Sequence, residues 1–220
     1  LDDADLKFLG REHSAKDALA ALDTVRNAFD SVSIDLIYAL PDQSAKAWRT
    51  MLGQALALGL GHVSLYQLTI EPGTIFHTRQ RKGENLALET DRAADLYEIT
   101  QEMTTAAGLP AYEISNHATV GQECRHNLTY WQADDWIGVG PGAHGRYAVF
   151  EPDQGCLFRT ATRTKRGPAG WLNAVNTIGH GIEKKEIDAP NDWANEMVMM
   201  GLRLRDGISV DAIKALCGPA

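Results

Sequence analysis

The stretch Ser33-Ile34-Asp35-Leu36-Ile37-Tyr38-Ala39-Leu40, closed by Pro41-Asp42, decides the fold class. Its short and nearly continuous apolar run predicts a buried strand. Helical patterns flank this strand on both sides. The first begins at Ser14, which opens a weak capping box, and the second is capped by Ser44 and closes at Gly59. A buried strand between two helices indicates a βα arrangement.

The alternation of helix and strand continues to residue 115. His62 to Leu68 reads as a second strand, a helix runs from Asp91 to a stop at Gly108, and residues 111–115 read as a third strand. A polar loop is predicted for residues 71–89. This spacing predicts an α/β fold with a parallel sheet or barrel. Active sites in such folds lie at the carboxyl ends of the strands. We therefore expect a site wall at residues 40–43, 67–71 and 115–117.

Beyond residue 145 the pattern changes to a hairpin and helices. Residues 147–150 and 156–162 predict a hairpin around Pro152-Asp153-Gln154-Gly155, and Pro168 fits the first position of a helix. A charged link at 183–186 precedes a helix that Asp192 caps and Gly207 ends, and another helix begins at Val210. The predicted parts are a barrel segment, 1–145, a hairpin and helix extension, 146–185, and the start of a small C-terminal helical domain, 186–220.

Composition excludes several classes of protein. A formal net charge of −8 argues against a general nucleic-acid-binding protein and against a protein that binds anionic membranes. The cysteines at 124, 156 and 217 are odd in number and form no CxxC pair, which fits the reducing cytoplasm and not a disulfide framework. No apolar run approaches the 18 or so residues of a membrane span.

A dense polar, aromatic and glycine segment is the candidate site. It comprises Cys124-Arg125-His126-Asn127-Leu128-Thr129-Tyr130-Trp131 and the glycine run 138–145, and it shows no helix or strand period. The glycines at 140, 142 and 145 match G-x-G-x-x-G, but a dinucleotide fingerprint must open a helix, and residues 146–150 read as a strand. Two interpretations stay open: a backbone that approaches a flat ligand closely, and a tight turn that leaves a buried strand.

His126 is the sharpest candidate within this segment. An imidazole can bind haem iron or zinc or carry protons, and the aromatic rings of Tyr130 and Trp131 could lie against a porphyrin. Residue types alone favour a hydrogen-bonded structural histidine beside a core tryptophan. A zinc site remains a weaker alternative, because its ligand spacing matches no known zinc finger. Its ligands would be Cys124, His117, His126 and His144.

Asp35 stands within the predicted buried strand. An isolated buried carboxylate costs several kcal/mol, so it needs a partner. Arg11, the hydroxyl groups of a ligand, and a structural ion pair are all open. Glu71 and Glu113 are interpreted as loop or cap groups. The tryptophans at 48, 171 and 193 are expected in the core.

Seven blocks of the chain resemble one known family in the same order. They are Leu9-Gly10-Arg11-Glu12-His13-Ser14, Ile34 to Pro41, Ser64 to Thr74, Tyr112 to Asn116, Arg125 to Trp131, Gly138 to His144, and Met200-Gly201-Leu202-Arg203-Leu204. The chain is thus similar to the oxygen-independent coproporphyrinogen III oxidase-like radical SAM proteins. The H-N-x-x-Y-W block points to the haem-chaperone branch of that family.

The resemblance implies a fold, cofactors and partners. The fold would be the C-terminal part of a radical SAM partial (β/α) barrel, followed by a small C-terminal domain. Asp35 and Arg11 would hold S-adenosylmethionine, and His126, Asn127, Tyr130 and Trp131 would bind haem. Membrane haem proteins would receive that haem. The alternative function is the oxidative decarboxylation of coproporphyrinogen III to protoporphyrinogen IX in haem biosynthesis. Whether the protein is an enzyme stays open.

The chain departs from the family in one large respect. The CxxxCxxC motif that holds the 4Fe-4S cluster is absent, and the spacings of 32 and 61 between the three cysteines cannot replace it. We expect a fragment that lacks roughly the first four barrel strands and cannot perform radical chemistry alone. Its strand at residues 33–40 would present an edge that favours self-association. Ala39 replaces a usual glycine, with little expected consequence.

Overall fold

The computed structural model describes residues 1–151 and 156–217, which form two compact units. The first unit is Leu1–Glu123 and the second begins at Cys124. The three-part division expected from the sequence stays a prediction, since compact units are defined by contacts and not by domain ancestry. Among the described residues, no helix combines the length and the apolarity that crossing a bilayer requires.

The first unit alternates helices with the strands of one sheet. Its elements in order are α1 (Asp3–Phe8), α2 (Ala15–Arg26), β1 (Ser33–Tyr38), α3 (Ala45–Leu56), β2 (His62–Gln67), α4 (Ile75–Arg81), α5 (Thr90–Ala106) and β3 (Asn116–Ala118). The predicted capping box is confirmed, because Ser14 and Asp17 exchange side-chain-to-backbone hydrogen bonds at the start of α2. The Ser44 hydroxyl accepts from the Ala47 N–H and caps α3 as predicted.

The sheet has the strand order β1-β2-β3 and is mixed. Strands β1 and β2 are parallel, from the pair Ser33–His62 to the pair Tyr38–Gln67. The prediction of a parallel third strand over 111–115 was wrong, because β3 lies at Asn116–Ala118 and runs antiparallel to β2. The segment before β3 instead folds back on it: the Tyr112 N–H donates to the Asn116 carbonyl at 3.1 Å, and the Glu113 carboxylate accepts from the Ser115 N–H at 2.8 Å within this bend.

Two further expectations about the first unit require correction. The segment predicted as a polar loop contains α4, which Thr74 caps by accepting from the His77 N–H. Helical periodicity missed α4 because the helix has no buried residue, and Ile75 is 78% exposed. Ala39 is also not a neutral replacement for glycine. Its φ is +59°, in the left-handed region, where a side chain costs about 1 kcal/mol.

The two faces of the sheet differ in chemistry. One face carries Leu36, Tyr38, Val63 and Leu65 and packs on α3 and α5 around the fully buried Trp48. The opposite face is polar. Paired residues share a face, so the register places Asp35, Ser64 and Asn116 in one row across it. The 2.6 Å bond between Ser33 Oγ and His62 Nδ1, one row away, confirms that these side chains lie on the same side.

The second unit contains an antiparallel sheet and four helices among its described residues. Its elements are α6 (Arg125–Trp131), β4 (His144–Glu151), β5 (Cys156–Thr164), α7 (Pro168–Ile178), β6 (Ile182–Asp188), α8 (Pro190–Gly201) and α9 (Val210–Cys217). Strands β4 and β5 confirm the predicted hairpin, whose turn at 152–155 lies outside the described residues. Pro168 is the first residue of α7, also as predicted.

Three expectations about this unit were wrong. Residues 124–131 are not irregular, since α6 occupies most of them. The predicted charged link is the edge strand β6, whose charged side chains, Glu183-Lys184-Lys185-Glu186, suit a strand that pairs among the described residues with β5 alone. Ala189, and not Asp192, is the N-cap of α8, and this helix ends at Gly201, before Gly207. The helix predicted from Val210 is confirmed.

Candidate functional site

Helix α6 divides the H-N-x-x-Y-W motif between solvent and protein. His126 is exposed, whereas Asn127, Tyr130 and Trp131 are half-buried. The helical period puts His126 and Tyr130 on one face and Asn127 and Trp131 on an adjacent one. Tyr130 and Trp131 therefore anchor the short helix on the second unit and leave the imidazole accessible. The residue types favoured a hydrogen-bonded structural histidine beside a core tryptophan; His126 is hydrogen-bonded to Tyr130, but it is exposed and Trp131 is only half-buried.

The imidazole of His126 is oriented by aromatic neighbours. The hydroxyl of Tyr130 shares a 3.2 Å hydrogen bond with His126 Nε2, and the two rings meet nearly edge to face with centroids 4.8 Å apart. The other side of Tyr130 contacts the ring of Trp136, at a centroid distance of 4.7 Å. The order His126, Tyr130, Trp136 therefore runs from solvent towards the interior. Nε2 carries this hydrogen bond, and no bond to Nδ1 is found among the described residues.

One face of the Trp131 ring is covered by a cation and does not border an open pocket. The guanidinium carbon of Arg203 lies 4.3 Å from the ring centroid, a cation–π geometry. The indole Nε1 is buried and finds no hydrogen-bond partner among the described residues. At most one face of this ring remains for a planar ligand. Arg203 belongs to the Met200–Leu204 block, but the sequence offered no reason to place it here.

Arg159 at the centre of β5 is a buried residue that the sequence interpretation missed. It is 1% exposed, and its guanidinium donates to the carbonyl oxygens of Ala133 (2.9 Å) and Asp134 (3.3 Å). Carboxylate oxygens of Asp135 and Glu196 lie 3.7 and 3.9 Å away. Burial lowers the pKa of Arg159, and the two carboxylates oppose that shift. The signal was an arginine in the middle of a strand, which demands buried partners.

The glycine run forms a tight turn that leads into β4. Gly140 and Gly142 adopt φ values of +102° and +72°, where glycine is favoured. A side chain at Gly138 would collide with the carbonyl of His144, and one at Gly145 would lie 2.6 Å from Thr162 Oγ1. A strand and not a helix follows, so the dinucleotide fingerprint is excluded.

Metal-ligand geometry does not support the zinc alternative. In the part of the chain that the structure describes, no three His, Cys, Asp or Glu side chains are grouped so that they could hold a metal ion. His117, one proposed ligand, is fully buried in the first unit, whereas His126 and His144 are exposed.

Asp35 lies on the polar sheet face and is exposed, so the expectation of a buried carboxylate was wrong. Strand alternation is the reason, because it directs Leu36 and not Asp35 towards the helices. Asp35 also lines a cavity of about 200 Å³ together with His13, Ile34 and residues of α2. Arg11 is exposed after α1, and no ion pair joins it to Asp35 among the described residues. Both residues stay predicted cofactor contacts.

A buried polar cluster lies beside the row Asp35–Ser64–Asn116. Glu113, which was expected to be a loop or cap group, is only 2% exposed and accepts from Asn116 Nδ2 at 2.5 Å. The Oδ1 atom of Asn116 is buried without a hydrogen-bond partner among the described residues, as are both ring nitrogens of His117. Burial lowers the pKa of His117 to about 4. His62 Nε2 bonds the Tyr112 hydroxyl at 2.9 Å in the same region.

Comparison with known proteins supports the family expected from the sequence. No family model matches the chain. The chain is 39% identical to mouse radical S-adenosyl methionine domain-containing protein 1, mitochondrial, over 95% of its own length and 47% of that protein. It is 38% identical to heme chaperone HemW of Bacillus subtilis over 93% of its length and 52% of the relative. For heme chaperone HemW of Synechocystis the identity is 35% over 93% of the chain and 48% of the relative.

A solved structure shares the fold. The coproporphyrinogen III oxidase (HemN) of Escherichia coli, a radical SAM enzyme, matches with a TM-score of 0.72 over 98% of this chain and 50% of that one. At 19% identity this likeness concerns the fold alone. The chain spans about half the length of the curated relatives that it matches. By these sequence identities the chain belongs to the radical SAM family that includes the proteins named heme chaperone HemW.

Proposed function

We propose that the protein carrying this chain binds haem at His126 and delivers it to haem proteins of membranes. One observation carries the proposal: the motif expected to bind haem lies on a helix that presents His126 to solvent. The identities of 38% and 35% to proteins named heme chaperone HemW support it.

The residues of α6 are suited to hold haem. A neutral imidazole would supply a nitrogen ligand to haem iron. The hydrogen bond of Tyr130 at Nε2 orients the ring, so either Nδ1 is the free donor or this bond opens when Nε2 binds. Asn127, Tyr130 and the remaining face of Trp131 would border the porphyrin. A single exposed ligand also suits a carrier that must release its cargo.

We expect replacement of His126 by alanine to weaken haem binding at least tenfold, which is about 1.4 kcal/mol. The physical reason is the loss of the axial nitrogen. Titration of the purified protein with hemin, followed by its Soret band, measures the effect. The matched control is His180→Ala, which removes an exposed histidine on the turn after α7. Equal Soret spectra and affinities for His126→Ala and the original protein would refute haem binding at this motif.

The oxidase alternative has a separate test. The solved structure of a coproporphyrinogen III oxidase supports that alternative by fold only, because its identity to this chain is 19%. Oxidative decarboxylation of coproporphyrinogen III by the intact protein would establish it, with a 4Fe-4S cluster, S-adenosylmethionine, a reductant that initiates the radical and an electron acceptor for the oxidation all supplied. The delivery proposal predicts a different result. When haem-loaded protein is mixed with membranes that contain an apo haem protein, the Soret absorbance of the protein falls and that of the membranes rises. Absence of that transfer would contradict delivery.

We propose that Asp35 and Arg11 contribute to a site for S-adenosylmethionine. The 4Fe-4S cluster that binds this cofactor would be held by cysteines outside this chain. Asp35 fits this role, since its exposed carboxylate shares the polar face with the hydroxyl of Ser64 and could accept from ribose hydroxyl groups. Binding of S-adenosylhomocysteine to the intact protein by calorimetry tests the assignment. Unchanged affinity in Asp35→Asn would refute it. We also propose a cytoplasmic location, which cell fractionation checks.

The free side of β1 supports a proposal about association. β1 is the end strand of the described sheet and pairs with β2 only. Unpaired strand edges bind other strands. We expect chain 1–220 to pair through residues 33–40, so that these amides are protected from hydrogen exchange and the measured mass exceeds that of a monomer. A monomer with rapid exchange at residues 33–40 would contradict this expectation.

A further inference from the structure

A continuous series of contacts leads from the buried Arg159 to the exposed His126. The guanidinium of Arg159 lies 5.5 Å from the ring centroid of Trp136. Trp136 contacts Tyr130 at 4.7 Å between centroids, and Tyr130 bonds His126 Nε2 at 3.2 Å. The links join Arg159 of β5 to Trp136, Trp136 to Tyr130 of α6, and Tyr130 to His126 one turn away on the same helix.

The buried end of this series is held firmly. Arg159 donates to two successive carbonyl oxygens, those of Ala133 and Asp134, in the turn that ends α6. Ala133 has a φ of +56°, an uncommon conformation for alanine that the surrounding contacts must maintain. Trp136 then exchanges two backbone hydrogen bonds with Arg146, of 2.6 and 2.9 Å. The turn is therefore fixed to the β4–β5 sheet at both its ends.

The charge of Arg159 is balanced inside the unit. Glu196 of α8 lies within ion-pair distance of both Arg159 and Arg146, and Trp193 of the same helix faces the guanidinium at 5.4 Å. Arginine suits this position better than lysine, because its planar fork serves two carbonyls while its faces contact indole rings. The arrangement joins β5, α8 and the turn after α6 at one residue.

We infer that Arg159 is a positioning residue for the haem motif: through Trp136 and Tyr130 it sets the orientation of the His126 imidazole. The inference rests on the proposed haem function for its biological meaning, but the orientation of the ring can be measured without haem. Direct partners that orient a ligating histidine, here Tyr130, typically alter metal affinity about 10–100-fold when removed. Arg159 acts through Tyr130, so we expect the lower end of that range.

The experiment compares Arg159→Met with Arg163→Met in the purified protein. Arg163 lies four residues along β5 on the same face, and its partner is the exposed Glu183 at 3.5 Å, away from α6. Histidine-labelled protein gives NMR signals of His126, assigned with His126→Ala. We expect Arg159→Met to shift the His126 ring signals and to weaken hemin binding about tenfold. Arg163→Met should change neither quantity.

Other outcomes have a defined meaning. Unchanged His126 signals in folded Arg159→Met protein would overturn the inference, even if haem binding fell. Should Arg159→Met not fold, Arg159→Lys replaces it, because lysine retains the charge but not the planar fork that serves two carbonyls, and unchanged His126 signals in Arg159→Lys would overturn the inference. Unchanged His126 signals in Trp136→Leu would overturn the route through Trp136. If His126→Ala binds hemin normally, the proposed haem function fails, while the NMR comparison still decides whether Arg159 orients the ring. If Trp136→Phe, which keeps a ring at this position, has the His126 NMR signals of the original protein, the result supports the aromatic link.

Discussion

Replacing Trp48 by alanine should lower the free energy of unfolding by about 3–5 kcal/mol. Trp48 is 0% exposed, stacks on Tyr38 at a centroid distance of 4.9 Å, and donates its indole N–H to Thr100 Oγ1 at 2.8 Å. Removal of the ring leaves a large cavity between α3 and β1, and alanine makes no contact that replaces the lost packing. Urea unfolding followed by far-UV circular dichroism measures the difference.

Two variants separate packing from hydrogen bonding at Trp48. Trp48→Phe keeps an aromatic ring beside Tyr38 but loses the N–H donor. Thr100 remains bonded to the Leu96 carbonyl at 2.7 Å, so we expect a smaller loss of about 1–2 kcal/mol. Trp171→Ala is the matched control, because Trp171 is only half-buried. A Trp48→Ala loss no larger than that of Trp171→Ala would contradict the assigned core. The same core carries β1, so its loss should also displace Asp35.

Acidification from pH 6.5 to about 4 should cost about 3 kcal/mol of stability through His117. Burial lowers the folded-state pKa of His117 to about 4, from 6.5 in the unfolded chain. The unfolded chain therefore binds a proton in this interval that the folded protein does not. Stability is complete above pH 6.5 and declines as the pH falls towards 4. His62, whose pKa burial also lowers, acts in the same direction.

His117→Leu tests this dependence directly. Neither ring nitrogen of His117 has a hydrogen-bond partner among the described residues, so an apolar side chain should cost little at pH 7. The variant should lose part of the decline between pH 6.5 and 4 in chemical unfolding. His180→Gln, an exposed replacement, should keep the full decline. An acid profile of His117→Leu identical to that of the original protein would refute the assignment.

Local patterns predicted those elements whose signals are local. The Ser14 and Ser44 caps, the hairpin arms and the proline at the start of α7 follow from short-range chemistry, and the structure confirms them. The strand predicted over 33–40 is also found, but it ends at Tyr38. Helix α4 lacked an apolar stripe, and α6 carries side chains whose pattern no periodicity test recognises. The charged residues of β6 read as a linker because an edge strand needs no buried face.

The candidate site was only partly predictable for the same reason. The motif residues His126, Asn127, Tyr130 and Trp131 are contiguous, so their resemblance to a known family could identify them. Trp136 and Arg159 are distant from them in sequence, and only the pairing of β4 with β5 and the turn after α6 bring them together. Asp35 was identified, but its environment was not, because one residue of register decides which face a strand side chain takes.

By itself the sequence determined the family, the order of most helices and strands, and the residues that carry the chemistry, because these depend on residue types at short spacing. Tertiary structure alone decided that the third strand is antiparallel, that Asp35 and His126 are exposed, and that a buried arginine stands behind the imidazole. The direction of a strand, the burial of a side chain and the residues that contact it depend on contacts between residues far apart in the chain. No local pattern contains those contacts.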